Sequence, residues 1–168
     1  MTRVALLRCA SVAALLCISS FAHAQAKVGD RFGDWTFDCV AIADGKTICA
    51  LTYVIVSKMD NRRIAQLSLG RNEARKSIML TAFLPLGIYL PAGASGVLDQ
   101  GKPFQFTIET CLPRNCIGIF AVGGDFLKSL QGAKQLGIAF VAADGQKPVV
   151  LEVPLAGLGE GLKAARLE

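Results

Sequence analysis

Side chains able to do acid–base, nucleophilic or metal chemistry are few in this chain, and their spacing suits none of those tasks. There is one histidine, His23, and there are six cysteines: Cys9, Cys17, Cys39, Cys49, Cys111 and Cys116. His23 falls in a leader that reads as removable, so 25–168 contains no imidazole. That removes Ser-His-Asp and Cys-His nucleophiles, histidine-containing zinc sites and imidazole pH switches. The thirteen acidic residues could in principle include a glycosidase-type carboxylate pair, and a Ser-Lys dyad needs no histidine. No Ser-x-x-Lys occurs, however; Ser57-Lys58 and Lys76-Ser77 are adjacent pairs, which point to opposite faces of a strand. A zinc site made only of cysteines needs two close-spaced knuckles, and a thiol redox centre needs C-x-x-C beside a βαβ pattern. Neither is present, and the residues point to a protein with no catalytic group, no cofactor and no metal.

The N-terminus explains the leader. Met1-Thr2-Arg3 and Arg8 precede an apolar stretch, 9–18, and the small residues Ala22-His23-Ala24. This is the form of a secretory signal peptide cut before Gln25. The stretch is shorter than the roughly 20 residues of a spanning helix, and Leu16 stands before Cys17 where a lipidation signal would have a small residue. The expected organisation is a signal peptide at 1–24 and one domain at 25–168, periplasmic or secreted and without a transmembrane segment. Loss of Arg3 and Arg8 lowers the net charge from +5 to +3. The remaining basic residues are scattered apart from Arg62-Arg63 and the turn-like run 71–76, with no interleaved aromatics. They read as solvated faces and give no footprint for nucleic acid.

Cys39, Cys49, Cys111 and Cys116 survive cleavage, and an even number in an exported chain implies disulfides. Turn geometry selects among the three connectivities. A three-residue loop Ala43-Asp44-Gly45, with Gly45 left-handed, sets Cys39 opposite Cys49; a four-residue loop Leu112-Pro113-Arg114-Asn115 sets Cys111 opposite Cys116. Facing residues on adjacent strands lie within disulfide reach.

Those hairpins belong to a chain of closely spaced strands. Trp35, Phe37 and Cys39 alternate with Thr36 and Asp38, as do Phe104, Phe106 and Ile108 with Gln105, Thr107 and Glu109. Further strands are expected at 47–57, 64–69, 77–84, 87–90, 116–122, 135–142 and 148–153, the last two flanking the turn Asp144-Gly145. Short helices are expected at 125–132, capped by Asp125, and at 161–167. The spacing leaves no room for crossover helices, so the fold class is all-β: a two-sheet antiparallel sandwich, with a barrel as the alternative. Trp35 reads as core. The segment 78–92 reads as two buried strands joined by a bend, or as an exposed apolar patch.

Gly33-Asp34-Trp35 with Cys39, the doublet Leu84-Pro85-Leu86-Gly87 and Leu90-Pro91-Ala92-Gly93, and Thr110-Cys111-Leu112-Pro113 closing at Cys116-Ile117 together resemble the invasion-associated locus B family of bacterial exported proteins. The resemblance runs over 28–158. It implies an immunoglobulin-like sandwich exported by alphaproteobacteria, and its name derives from invasion of red blood cells by a pathogen. Asn115 departs from a frequent glycine, and Gly118-Ile119 from alanine and a polar residue; asparagine tolerates the left-handed conformation. The resemblance supplies no catalytic residue. The expected function is a non-enzymatic module that binds a protein or an envelope component, with a periplasmic chaperone or envelope assembly factor as the alternative. Contact is expected through Leu86, Tyr89, Arg114 and Asn115.

Overall fold

The computed structural model describes residues 25–42, 45–144 and 147–168. In chain order the elements are β1 (Arg31–Phe32), β2 (Trp35–Ala41), β3 (Thr47–Val56), β4 (Arg63–Asn72), β5 (Ser77–Leu84), β6 (Ala94–Leu98), β7 (Phe104–Leu112) and β8 (Asn115–Val122), then helix α1 (Gly124–Gly132), β9 (Gln135–Val141), β10 (Pro148–Pro154) and helix α2 (Leu158–Ala164). The strands hydrogen-bond in the order β1-β2-β3-β4-β5-β8-β7-β6-β9-β10, and every pairing is antiparallel. The mostly-β antiparallel class follows from period-two burial: Ala65, Leu67 and Leu69 on β4, and Leu136, Ile138 and Phe140 on β9, point inward while their neighbours do not.

A continuous ribbon becomes two layers at β7. Phe104 to Phe106 pair with β6, whereas Thr107 to Leu112 pair with β8, and the register breaks between Ile108 and Thr110. A bulge there bends the strand and increases its twist, which turns the second half of the ribbon over the first. Trp35 closes the fold. It lies near one end of the strand order, yet its indole Nε1–H donates to the carbonyl of Pro154 on β10, at the other end, over 3.0 Å. Leu51, Leu67 and Leu80 from the first layer, Leu136 and Val153 from the second, and Leu158 and Leu162 from α2 share one hydrophobic cluster. Phe104, Phe120 and Phe126 add ring contacts of 4.3 to 4.9 Å beneath α1.

Several expectations need correction. The segment 87–90 is not a strand. Pro85 and Pro91 cannot donate to a ladder, and the chain there crosses between layers: Ile88 makes an isolated bridge to Ala142, and Leu90–Ala92 form a 3-10 turn. The segment 78–92 is therefore split, with β5 buried and Leu86, Tyr89 and Leu90 exposed. β6 is not legible in the sequence because Gly93 and Gly96 look like punctuation; it pairs with both β7 and β9, so tertiary context outweighs propensity. Asp125 does not cap α1: the N-cap is Gly123 in extended conformation, and Asp125 sits in the first turn. The second helix starts at Leu158, after the left-handed Gly157. Asn115 adopts no positive φ. Gly45 has φ +69°, as its turn requires, while Ala43, Asp44, Gly145 and the proposed leader 1–24 lie outside the described residues. Among the described residues no helix is long and apolar enough to cross a membrane.

Candidate interaction surface

The two disulfides are Cys39–Cys49 and Cys111–Cys116, each between directly facing residues with Cα atoms 4.0 and 3.8 Å apart. Pairing in the second hairpin continues one step beyond the bridge, to Leu112 opposite Asn115. The loop is thus a two-residue turn, Pro113-Arg114, tighter than the four residues expected. Cys116 is buried and faces Leu84 of β5, so this bridge ties an exposed tip to the core.

Strand register gathers three loops at that end of the first layer. Val56 faces Arg63, Leu84 faces Cys116 and Cys111 faces Cys116. The β3–β4 loop, the chain leaving β5 and the β7–β8 tip therefore lie together. Arg63, Gln66, Phe83, Leu84, Arg114 and Asn115 line a cleft of about 250 Å³ between them. Arg63 donates to Gln66 Oε1 over 2.9 Å, whereas the buried Oδ1 of Asn115 has no hydrogen-bond partner among the described residues. Around the cleft, large apolar side chains are exposed: Met59 at 98 %, Leu86 at 51 % and Leu112 at 49 %.

Of the four contact residues expected from sequence, Arg114 and Asn115 share the cleft, and Leu86 follows Leu84 by two positions. Tyr89 is also exposed, but its N–H donates to Val141 of β9 over 2.8 Å, so it is anchored to the other layer. Met59 and Leu112 were not among the residues expected. Met59 stands in the polar run Ser57-Lys58-Met59-Asp60-Asn61, where an isolated large apolar residue marks a loop tip. Arg62, at the same end, pairs with Asp60 over 2.7 Å.

The candidate Ser-Lys pairs do not assemble. Ser77 Oγ donates to Met79 Sδ at 3.3 Å and Ser57 Oγ accepts from the Met59 N–H at 3.2 Å, so neither seryl hydroxyl is held by the lysine beside it in sequence. Among the described residues there is no group of three or more His, Cys, Asp or Glu side chains able to hold a metal. Burial, with the Asp34 carboxylate adding to it, raises the pKa of Tyr53 above its ordinary value of 10.0; the ring of Tyr53 lies 5.6 Å from that of Trp35. The folded chain therefore holds this phenolic proton more tightly than a free tyrosine does.

A match over most of the chain decides the family. The profile described as invasion associated locus B (IalB) protein fits residues 35–166. The chain belongs to the IalB family. An invasion protein B homolog of Brucella abortus (strain 2308) is 26 % identical over 153 residues, covering 89 % of this chain and 87 % of the relative. Invasion protein B of Bartonella bacilliformis is 26 % identical over 149 residues, covering 87 % and 78 %. The crystal structure of invasion associated protein B from Bartonella henselae superposes with a TM-score of 0.72 at 26 % identity, covering 84 % of this chain and 96 % of that one. The IalB frame explains the sequence motifs: Gly33-Asp34-Trp35 is the β1–β2 turn and the core tryptophan, and Thr110-Cys111-Leu112-Pro113 is the ascending side of the bridged tip.

Proposed function

We propose that this IalB-family chain is an exported, non-enzymatic interaction module of the bacterial envelope, which meets its partner through the loop end built from Met59, Leu86, Leu112, Arg114 and Asn115. The observation that carries the reading is the convergence of exposed apolar side chains on one bridged end of a rigid sandwich, beside arginines and an unsatisfied amide oxygen. Exposed apolar patches rimmed by polar residues mark interaction sites, and arginine is enriched among binding hot spots. The partner patch is apolar with an acidic margin. The leader 1–24 directs export. The names of the Brucella and Bartonella relatives favour a host-facing role, in which the same end would touch a host component.

The test is affinity capture from envelope extract with the native chain and with Leu86→Asp and Leu112→Asp as paired baits. A partner retained by the native chain and lost from both variants supports the reading. Equal capture by all three baits contradicts it.

A second reading is favoured by β10, which is last in the strand order. Leu155 N–H donates to Lys134 O over 3.0 Å, continuing the ladder with β9, and the antiparallel alternation then turns the backbone groups of Val150 and Glu152 away from β9. An extended apolar segment could add there, as in a chaperone. Protection of the Val150 and Glu152 amides from hydrogen exchange by such a peptide would favour this edge over the loop end.

A further inference from the structure

A second concavity among the described residues opens toward the end of the first layer opposite the Cys111–Cys116 tip and runs along the strands as far as Phe83. It measures about 750 Å³, a size in the usual range of small-molecule sites, roughly 300–1,000 Å³, and is lined by outward-facing residues of β3, β4 and β5, by Arg71 at the end of the inward-facing series of β4, and by the residues following α2. Small residues create the trough. Ala50, Gly70 and Met79 face one another across the three strands, and with no side chain at Gly70 the surface sinks between taller neighbours. A Cβ at Gly70 would stand 2.8 Å from the Cys49 carbonyl oxygen, so the position is closed to any other residue without a shift of the backbone. Ile48 and Phe83 form apolar walls, and the Met79 side chain is buried in an outward-facing position that would ordinarily be wet.

The lining is one-sided in charge as well. Lys46, Arg71 and Arg166 line the cleft, all three are exposed, and none makes an ion pair with a described residue. The acidic side chain among the lining residues is Glu73, and Glu168 follows Arg166 by two positions. Three uncompensated cations beside an apolar trough are complementary to a molecule with an anionic head and a hydrocarbon tail. A neutral apolar ligand would leave the cations unused, and a free anion would leave the trough unfilled.

The geometry points to this cleft as a binding site for a single-chain anionic amphiphile, a long-chain fatty acid in chemical class. The acyl chain lies along Ile48, Met79 and Phe83, and the carboxylate meets Lys46, Arg71 and Arg166. The two clefts share Phe83, but Lys46, Arg71 and Arg166 line this one alone, so charge reversal at those positions tests this site and leaves the loop end untouched.

The experiment uses the oxidised chain 25–168, without the leader, and a fluorescent fatty acid, 11-(dansylamino)undecanoate, below its micellar concentration. Saturable one-to-one binding, displaced by palmitate but not by inorganic phosphate or by dodecyltrimethylammonium, is the expected result. Reversing charge with Arg71→Glu plus Arg166→Glu should weaken palmitate by about tenfold or more, the loss of roughly one strong charge-assisted contact, with the near-ultraviolet circular dichroism of the fold retained. Lys46→Glu, at an exposed loop position, gives the same readout should the double variant misfold. Absence of saturable binding, equal affinity for the cationic amphiphile, or full affinity in folded charge-reversed variants would overturn the assignment.

Discussion

Gly33 carries two demands at one residue. Its φ is +61°, which side-chain-bearing residues rarely adopt, and a Cβ there would come within 2.3 Å of the Ala156 carbonyl oxygen. Phe32 faces Trp35, so Gly33-Asp34 is a two-residue turn with positive φ at its first central position, the setting in which a glycine leads a hairpin. Gly33→Ala should cost about 2–4 kcal/mol, strain and overpacking together, measurable as a lower urea midpoint at unchanged slope. Two residues on, Trp35→Phe would keep most of the apolar volume but orphan the Pro154 carbonyl, which now accepts the indole N–H; a loss of about 1–3 kcal/mol is expected from the same measurement. Tyr53 supplies a pH dependence. Its pKa is raised in the folded chain by burial and then by Asp34, so the native state holds the phenolic proton more tightly than the unfolded state. The associated stability is complete below pH 10 and drains away as the pH climbs through the folded pKa. Tyr53→Phe should flatten the alkaline fall in unfolding free energy relative to the native chain; an identical fall in both would show that Tyr53 is not its source.

At the scale of elements, the bridged hairpins were the most legible feature of the chain. Antiparallel alternation and loop length fix which residues can face each other, and both cysteine pairs obey that rule. Cys39→Ser with Cys49→Ser should cost about 2–3 kcal/mol through a larger unfolded ensemble, and in denaturant titrations its stability should fall between those of the oxidised native chain and the native chain with both bridges reduced. The 87–90 and 94–98 segments were the least legible, for a common reason. Proline and glycine read as local signals, whereas their placement is decided by the passage from one layer to the other: Pro85 and Pro91 bracket the crossing, and β6 is held as a strand by partners on both sides. Helix ends shifted similarly, because Gly123 and Gly157 serve as N-caps through backbone conformation, with no capping side chain to read.

At the scale of the molecule, two disulfides and an antiparallel β fold define the scaffold, and 25–168 contains no imidazole. The sequence distinguished the class of fold because burial has period two along the strands. Of the residues at the tip, Arg114 and Leu86 announce themselves in turns, while Met59 and Leu112 become neighbours only through register. Each end of the first layer carries a disulfide: Cys111–Cys116 at the tip with its exposed apolar side chains, and Cys39–Cys49 beside the trough lined by Lys46, Arg71 and Arg166. The most direct test of the tip as the contact surface is photo-crosslinking in the native cell, with a photoreactive residue placed at Leu86, at Arg114 or, on α1 away from the tip, at Lys128. A discrete adduct from the first two positions and none from Lys128 is the expected result. The same adducts from all three positions, or none from any, would contradict it.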